Sequence, residues 1–305
     1  MYHRSKLSLN CVSCLIGAAS VVLPVTSQAA VLLEESFDYE AGSLAGQAGG
    51  QGFAAGSAWS VSVSSDAVGG AVVNAGSLAF SDYATSGNHL TITLDSITGT
   101  GARTVLAERG VGFSATGGDV WVTMLYQRND ALTNGSRTAE VRIDGSAGSQ
   151  FGVQPKKSGS QNGTIRYDGS TGGQSGALQN GDVRMLVARF ADVGSTGAAA
   201  TLWSFNESYY DTIKADGITI AELDASGTAV TDTLASDDSR TISSGDALKL
   251  LANSSQAPFS FNLDELRYGT TLESALAPVP EPSSIGIIAA GAALLLGRRR
   301  QNQAD

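Results

Sequence analysis

The chain has 305 residues and a formal net charge of −10, with 29 acidic residues against 19 basic ones. That length holds one large β domain or two ordinary ones. The charge excludes nucleic acid and anionic lipid as partners, because phosphate binding needs clustered Lys and Arg.

From the N-terminus, Arg4 and Lys6 precede an apolar run from Val12 to Val25, and Ser27-Gln28-Ala29 supplies small residues for cleavage. This three-part pattern predicts a secretory signal peptide over residues 1–29. The run is shorter than the ~20 residues a permanent span needs. Cys11 and Cys14 both lie inside it. The exported chain would therefore carry no disulfide, thiolate nucleophile or cysteine metal site, and must rely on core burial. Without Arg4, Lys6, Arg298, Arg299, Arg300 and Asp305, 14 basic and 28 acidic residues remain, about −14.

Residues 30–276 read as one β domain. Short β-branched and aromatic runs alternate with Gly/Ser/Asn/Asp clusters, and no window sustains a helical period. Trp59–Ser64 and Leu90–Leu94 alternate cleanly, which buries one face and wets the other. Val120–Tyr126 is apolar on both faces, as a central covered strand would be. Thr138–Ile143 and Thr164–Tyr167 each run into an Asp-Gly turn. Val183–Phe190, Ala198–Trp203, Ile218–Leu223, Ala247–Leu251 and Phe259–Tyr268 follow, for roughly a dozen strands, a number suited to two antiparallel sheets. Phe205–Ser244 is less regular and predicts rim loops.

From residue 277 the composition changes. Pro278-Val279-Pro280-Glu281-Pro282 is an extended spacer, Ile285–Leu296 is apolar, and Arg298-Arg299-Arg300 closes the segment. The apolar run is short for a stable span, and the arginines would hold its far end on the cytoplasmic side. A removable sorting signal and a plain C-terminal anchor both fit this order.

Val279-Pro280-Glu281-Pro282, the apolar tail and Arg298–Arg300 resemble the PEP-CTERM sorting signal of Gram-negative bacteria. The resemblance implies handling by an exosortase-type membrane transpeptidase, transient contact with the inner membrane through the C-terminal helix, and delivery to the envelope, outer surface or extracellular matrix. In the core, Phe37-Asp-Tyr39, Val120–Tyr126, Met185–Phe190 and Asn262–Thr271 resemble concanavalin A-like, laminin-G-like domains. This implies an all-β, two-sheet antiparallel jelly-roll sandwich, a fold that hosts lectins, glycosidases and inert spacers.

The chemistry is sparse. Glu222-Leu-Asp224 begins the Glu-x-Asp-x-x-Glu pattern of jelly-roll glucanases, but Gly227 stands where the second glutamate belongs. Asp264, Asp237 and Asp238 are candidate calcium ligands without a spaced calcium loop; otherwise no cofactor is expected. His89 is the single histidine left after export, too few for a two-histidine zinc site. Trp203, Phe205, Tyr209 and Tyr210 are candidate glycan-stacking aromatics, whereas Trp121 belongs in the core. The expectation is a non-enzymatic, lectin-like module for extracellular polysaccharide. A purely structural surface protein and a polysaccharide hydrolase are the alternatives.

Overall fold

The computed structural model describes residues 29–98, 101–129, 137–145, 150–156, 163–167, 181–215, 217–234, 239–255 and 258–277. The strands are β1 (Val31–Glu35), β2 (Gly42–Ser43), β3 (Ser60–Val63), β4 (Ala67–Asn74), β5 (His89–Ile97), β6 (Arg103–Gly110), β7 (Val120–Arg128) and β8 (Arg137–Asp144). They continue with β9 (Gln150–Lys156), β10 (Thr164–Arg166), β11 (Val183–Phe190), β12 (Ala199–Phe205), β13 (Val230–Thr233), β14 (Ala247–Ser254) and β15 (Phe259–Gly269). Three short helices are α1 (Glu207–Ile213), α2 (Ile220–Ala225) and α3 (Leu272–Leu276).

Two antiparallel sheets form the expected jelly-roll sandwich. The nine-stranded sheet runs β13-β12-β11-β7-β15-β5-β4-β2, with β1 also paired to β15. The six-stranded sheet runs β10-β9-β8-β14-β6-β3. The chain passes repeatedly between sheets, so neighbours in space are distant in sequence.

Alternation decides what fills the sandwich. Leu90, Ile92 and Leu94 of β5, Phe259, Phe261 and Leu263 of β15, and Leu248, Leu250 and Ala252 of β14 enter one buried cluster. β7 shows why its segment is apolar on both faces. Val120, Val122, Met124 and Tyr126 enter this inner core. Trp121 and Leu125 face away, into a second buried cluster. That outer cluster is roofed by α1, α2, α3 and the segment from Leu78 to Tyr83, which contribute Tyr210, Ile213, Leu223, Ala275, Leu78, Phe80 and Tyr83.

The sequence reading needs correction at Ile218–Leu223, which is not a strand. Thr219 and Glu222 form a capping box: each side chain accepts a hydrogen bond from the other's backbone N–H. This satisfies two donors that a helix start leaves open. Leu223 is then buried in the outer cluster while Ile220 stays exposed. Asn206 caps α1 by accepting from the Tyr209 amide, and Thr271 and Ser274 box the start of α3. Caps, rather than a long apolar period, specify these helices. Among the described residues no helix is long and apolar enough to cross a membrane. Residues 1–28 of the expected signal peptide and residues 278–305 of the expected sorting segment, which begins at residue 277, lie outside the described residues.

Candidate functional site

The nominated aromatics line the outer core. Trp203 and Phe205 are each 2% exposed and Tyr210 is 9% exposed. The Trp203 ring stacks on Trp121, with centroids 6.1 Å apart and planes 11° from parallel. Its indole Nε1 donates to Asp224 at 2.9 Å. Tyr209 is half-buried and its hydroxyl donates to the Glu222 carbonyl at 2.5 Å. α1 and α2 cover the outer face of β12, so Trp203 and Phe205 present no flat face to a sugar, contrary to expectation, whereas Tyr209 stays half-buried and Tyr210 lines a groove beside α1. Glu222 and Asp224 are likewise used internally, and on a helix residues two apart do not share a face.

The Asp264 region is also internal. β15 carries a bulge between Asp264 and Arg267, opposite β7, with Glu265 at φ 50°. Asp264 is 0% exposed. Its Oδ2 accepts from the Leu78 amide at 2.8 Å and its Oδ1 from the Glu265 amide at 2.9 Å. Desolvation pushes its pKa up to about 8. Glu265, also raised by burial, accepts from the Ser86 amide at 2.6 Å and pairs with Arg267 at 2.6 Å. Arg267 further donates to the Tyr83 hydroxyl oxygen at 2.8 Å and to the Ala277 carbonyl. Each Asp264 oxygen thus accepts a backbone N–H. Among the described residues no three His, Cys, Asp or Glu side chains gather as a metal site. Asp237 and Asp238 lie outside the described residues.

A further buried carboxyl, Glu35, was missed by sequence reasoning. Glu35 accepts from the Tyr39 hydroxyl at 2.5 Å, Trp59 Nε1 at 3.2 Å and the Phe37 amide at 2.8 Å, with Arg109 at 3.8 Å. Burial raises its pKa. Arg109 lies 3.9 Å from the centre of the Phe53 ring and donates to the Gly49 carbonyl at 2.7 Å. A carboxyl beside a tyrosine suggests proton transfer, but the surroundings are packed shut. A Cβ on Gly49 would meet the Tyr39 ring at 2.7 Å, and one on Gly50 would meet the Glu34 carbonyl at 2.6 Å. The network fastens the segment between β1 and β3 to β6.

His89 places Nδ1 2.5 Å from the Gly76 carbonyl at the start of β5. It touches no acid–nucleophile pair in the described hydrogen bonds.

The outer face of the nine-stranded sheet differs in character beyond the helical roof. Since Leu90, Ile92, Phe261 and Met124 point inward, Thr91, Thr93, Ser260, Asn262 and Gln127 point outward. Register places Val72, Thr91, Asn262, Gln127 and Val183 in one row across five strands. A second row holds Gly70, Thr93 and Ser260. The polar side chains bond to one another in a single direction. Asn74 Nδ2 donates to Thr91 at 2.7 Å, Thr91 to Asn262 Oδ1 at 2.8 Å, Asn262 Nδ2 to Gln127 at 2.8 Å, and Gln127 Nε2 to the Gly181 carbonyl at 2.7 Å. Asn129 Nδ2 also donates to Asn262 at 2.8 Å. Such a chain polarises and fixes its members. Asn74 Nδ2 also donates to the Val72 carbonyl at 3.3 Å, so both its hydrogens are used, while the Asn262 and Gln127 amides each keep one of their two hydrogens. Val72 is 42% exposed and gives the face an apolar patch. A Cβ on Gly70 would meet nothing within 4 Å, so the floor is open there.

The row ends at Gly181, which with Asp182, Val183, Asn206, Glu207 and Ser208 lines a groove of about 430 Å³. A second groove of about 550 Å³ lies between α1 and α3, lined by Tyr210, Lys214, Ile218, Glu273 and Leu276.

The described chain is thus an antiparallel β-sandwich with an uncharged polar sheet face. Residues 278–301 match the PEP-CTERM protein-sorting motif, immediately after Ala277. The motif marks an exported protein sorted to the envelope. No curated protein sequence matches the chain. Among solved structures the chain is similar to an endo-β-1,4-glucuronan lyase from the fungus Trichoderma reesei. Identity is 12%, coverage 68% of this chain and 91% of that one, and TM-score 0.41. It is also similar to the cellulose-induced protein Cip1, at 12% identity, 70% and 91% coverage and TM-score 0.41. For the lectin UEA-II complexed with galactose the values are 10%, 67% and 92%, and 0.38. At these values none of them bears on ligand or activity here.

Proposed function

We propose that this protein displays a non-catalytic, lectin-like domain that binds extracellular polysaccharide at the bacterial surface or in the matrix. The observation that carries the reading is the uncharged row of amides and hydroxyls on the outer sheet face, where Asn74, Thr91 and Gln127 are half-buried and Asn262 is 9% exposed. Such groups hydrogen-bond a polyol while asking for no ion, and catalysis by paired acids would need carboxylates there instead. The two strongest acid candidates, Glu35 and Asp264, are consumed by internal hydrogen bonds.

Delivery rests on the C-terminal signal. An exosortase-type transpeptidase of a Gram-negative cell would act on Val279–Pro282 while the apolar tail and Arg298–Arg300 hold the chain at the inner membrane. Replacing Pro280-Glu281-Pro282 with alanines is expected to leave unprocessed protein in that membrane, read by fractionation and immunoblot. Normal processing would count against the sorting role. For binding, the purified full chain is run through native gels cast with a panel of neutral and acidic polysaccharides. Retardation by at least one polymer is expected; unchanged mobility in all of them favours a purely structural surface protein.

A further inference from the structure

We infer that the ligand is a neutral polysaccharide whose chain lies across β4, β5, β15 and β7 along the Asn74–Thr91–Asn262–Gln127 row and ends over the groove at Gly181. This inference rests on the polysaccharide-binding reading and adds a place, a direction and a chemical class.

Direction follows from the register. The row crosses the strands, and three gaps of about 4.8 Å make about 14 Å, the length of a short oligosaccharide. Along that line the side chains are held by one another, so little rotamer freedom is lost when a ligand binds. Val72 at one end offers an apolar contact for sugar C–H groups, and Gly70 leaves the neighbouring position open. At the other end Gln127 is tied to Gly181, so the row leads into the groove without a break.

The chemical class follows from charge. Asn74, Thr91, Thr93, Gln127, Ser260 and Asn262 carry no ionised group, so a uronate carboxylate lying on them would lose water and gain no cation. Asp182 and Glu207 flank the groove; Arg184, 3.9 Å from Asp182, offsets that charge but leaves Glu207 to disfavour an anionic chain, in a protein already at −10. Hydroxyls meet no such penalty, because the second amide hydrogens of Asn262 and Gln127 and the carbonyl lone pairs match a group that both donates and accepts.

The test uses the full chain and its Gln127→Ala, Thr91→Val and Asn262→Ala variants in gels containing soluble neutral β-glucan, galactomannan or alginate. Lys249→Gln on the six-stranded sheet serves as the control. A neutral polymer should retard the parent and the control alike, and each row variant should bind about fivefold or more weakly, the scale of one lost hydrogen bond. Thermal melts verify folding. If Asn262→Ala unfolds, the half-buried Gln127 carries the test. Binding that survives the row variants overturns the placement, and tighter binding to alginate than to any neutral polymer overturns the class. No retardation of the parent by any polymer overturns the binding reading itself.

Discussion

Arg267 reaches from the sheet to the carbonyl of Ala277, the residue immediately before the sorting motif. The same guanidinium is 2.6 Å from Glu265 and 2.8 Å from the Tyr83 hydroxyl. One side chain therefore joins the β15 bulge, the roof over the outer core and the point where the signal departs. α3 is held at that point too, by Thr123 donating to the Ala275 carbonyl at 2.5 Å. The signal is thus attached to a folded anchor.

Arg267→Leu should destabilise the domain by about 3–5 kcal/mol, because Glu265 is left buried without its partner. Urea unfolding gives the free energy. Limited proteolysis should also cut sooner near α3, since the Ala277 tie is lost. Native-like stability would show that the pair contributes little.

Stability should fall as pH rises from about 4 towards 8. In the fold, Asp264 has a pKa of about 8 against an ordinary 3.8, and Glu265 and Glu35 are raised as well. A raised carboxyl binds its proton more tightly folded than unfolded. Its stabilising contribution is therefore complete below the unfolded pKa and is lost as pH climbs to the folded value. The melting temperature should be higher at pH 5 than at pH 8.5, and Asp264→Asn should flatten that slope. A melting temperature that rises with pH over this window would contradict the assignment.

Trp203→Ala should cost about 3–5 kcal/mol, the range for truncating a buried large aromatic. It should leave the affinity of the remaining folded molecules for polysaccharide unchanged, since the ring faces Trp121 and Asp224. A stable variant with lost binding would return the ring to the role the sequence suggested.

Tyr39→Phe should cost about 1–3 kcal/mol by leaving Glu35 one donor short. Denaturant melts measure this directly. Gly52→Ala is expected to be worse tolerated, because Gly52 has φ 81° and a Cβ there would lie 2.0 Å from the Leu32 carbonyl.

The sandwich was legible where one face is apolar. In Leu90-Thr-Ile-Thr-Leu94 the three aliphatics entered the core and both threonines faced outward, as alternation requires. β4 was hidden by Gly69 and Gly70, which weaken strand propensity. β6 was hidden by Arg109, an inward-facing charge paid for by Glu35 and Phe53. The helices escaped because each is under eight residues and is specified by caps, so no apolar period accumulates. Trp203 was misplaced for a related reason: the polar residues after it cap α1 instead of forming a wet loop.

The polar row was only half readable. Thr91 announces an outward face, but nothing local sets it beside Gln127 and Asn262, which are 36 and 171 positions away. Register between distant strands creates the row, and register is fixed by the whole pattern of pairing.

Side-chain amide NMR of the full chain, titrated with a neutral β-glucan oligosaccharide, tests the central claim most directly. The NH₂ signals of Gln127 and Asn262 should shift together and saturate together, while amides on the six-stranded sheet stay in place. Saturable shifts confined to the six-stranded sheet, or none anywhere with neutral oligosaccharides, would contradict the account.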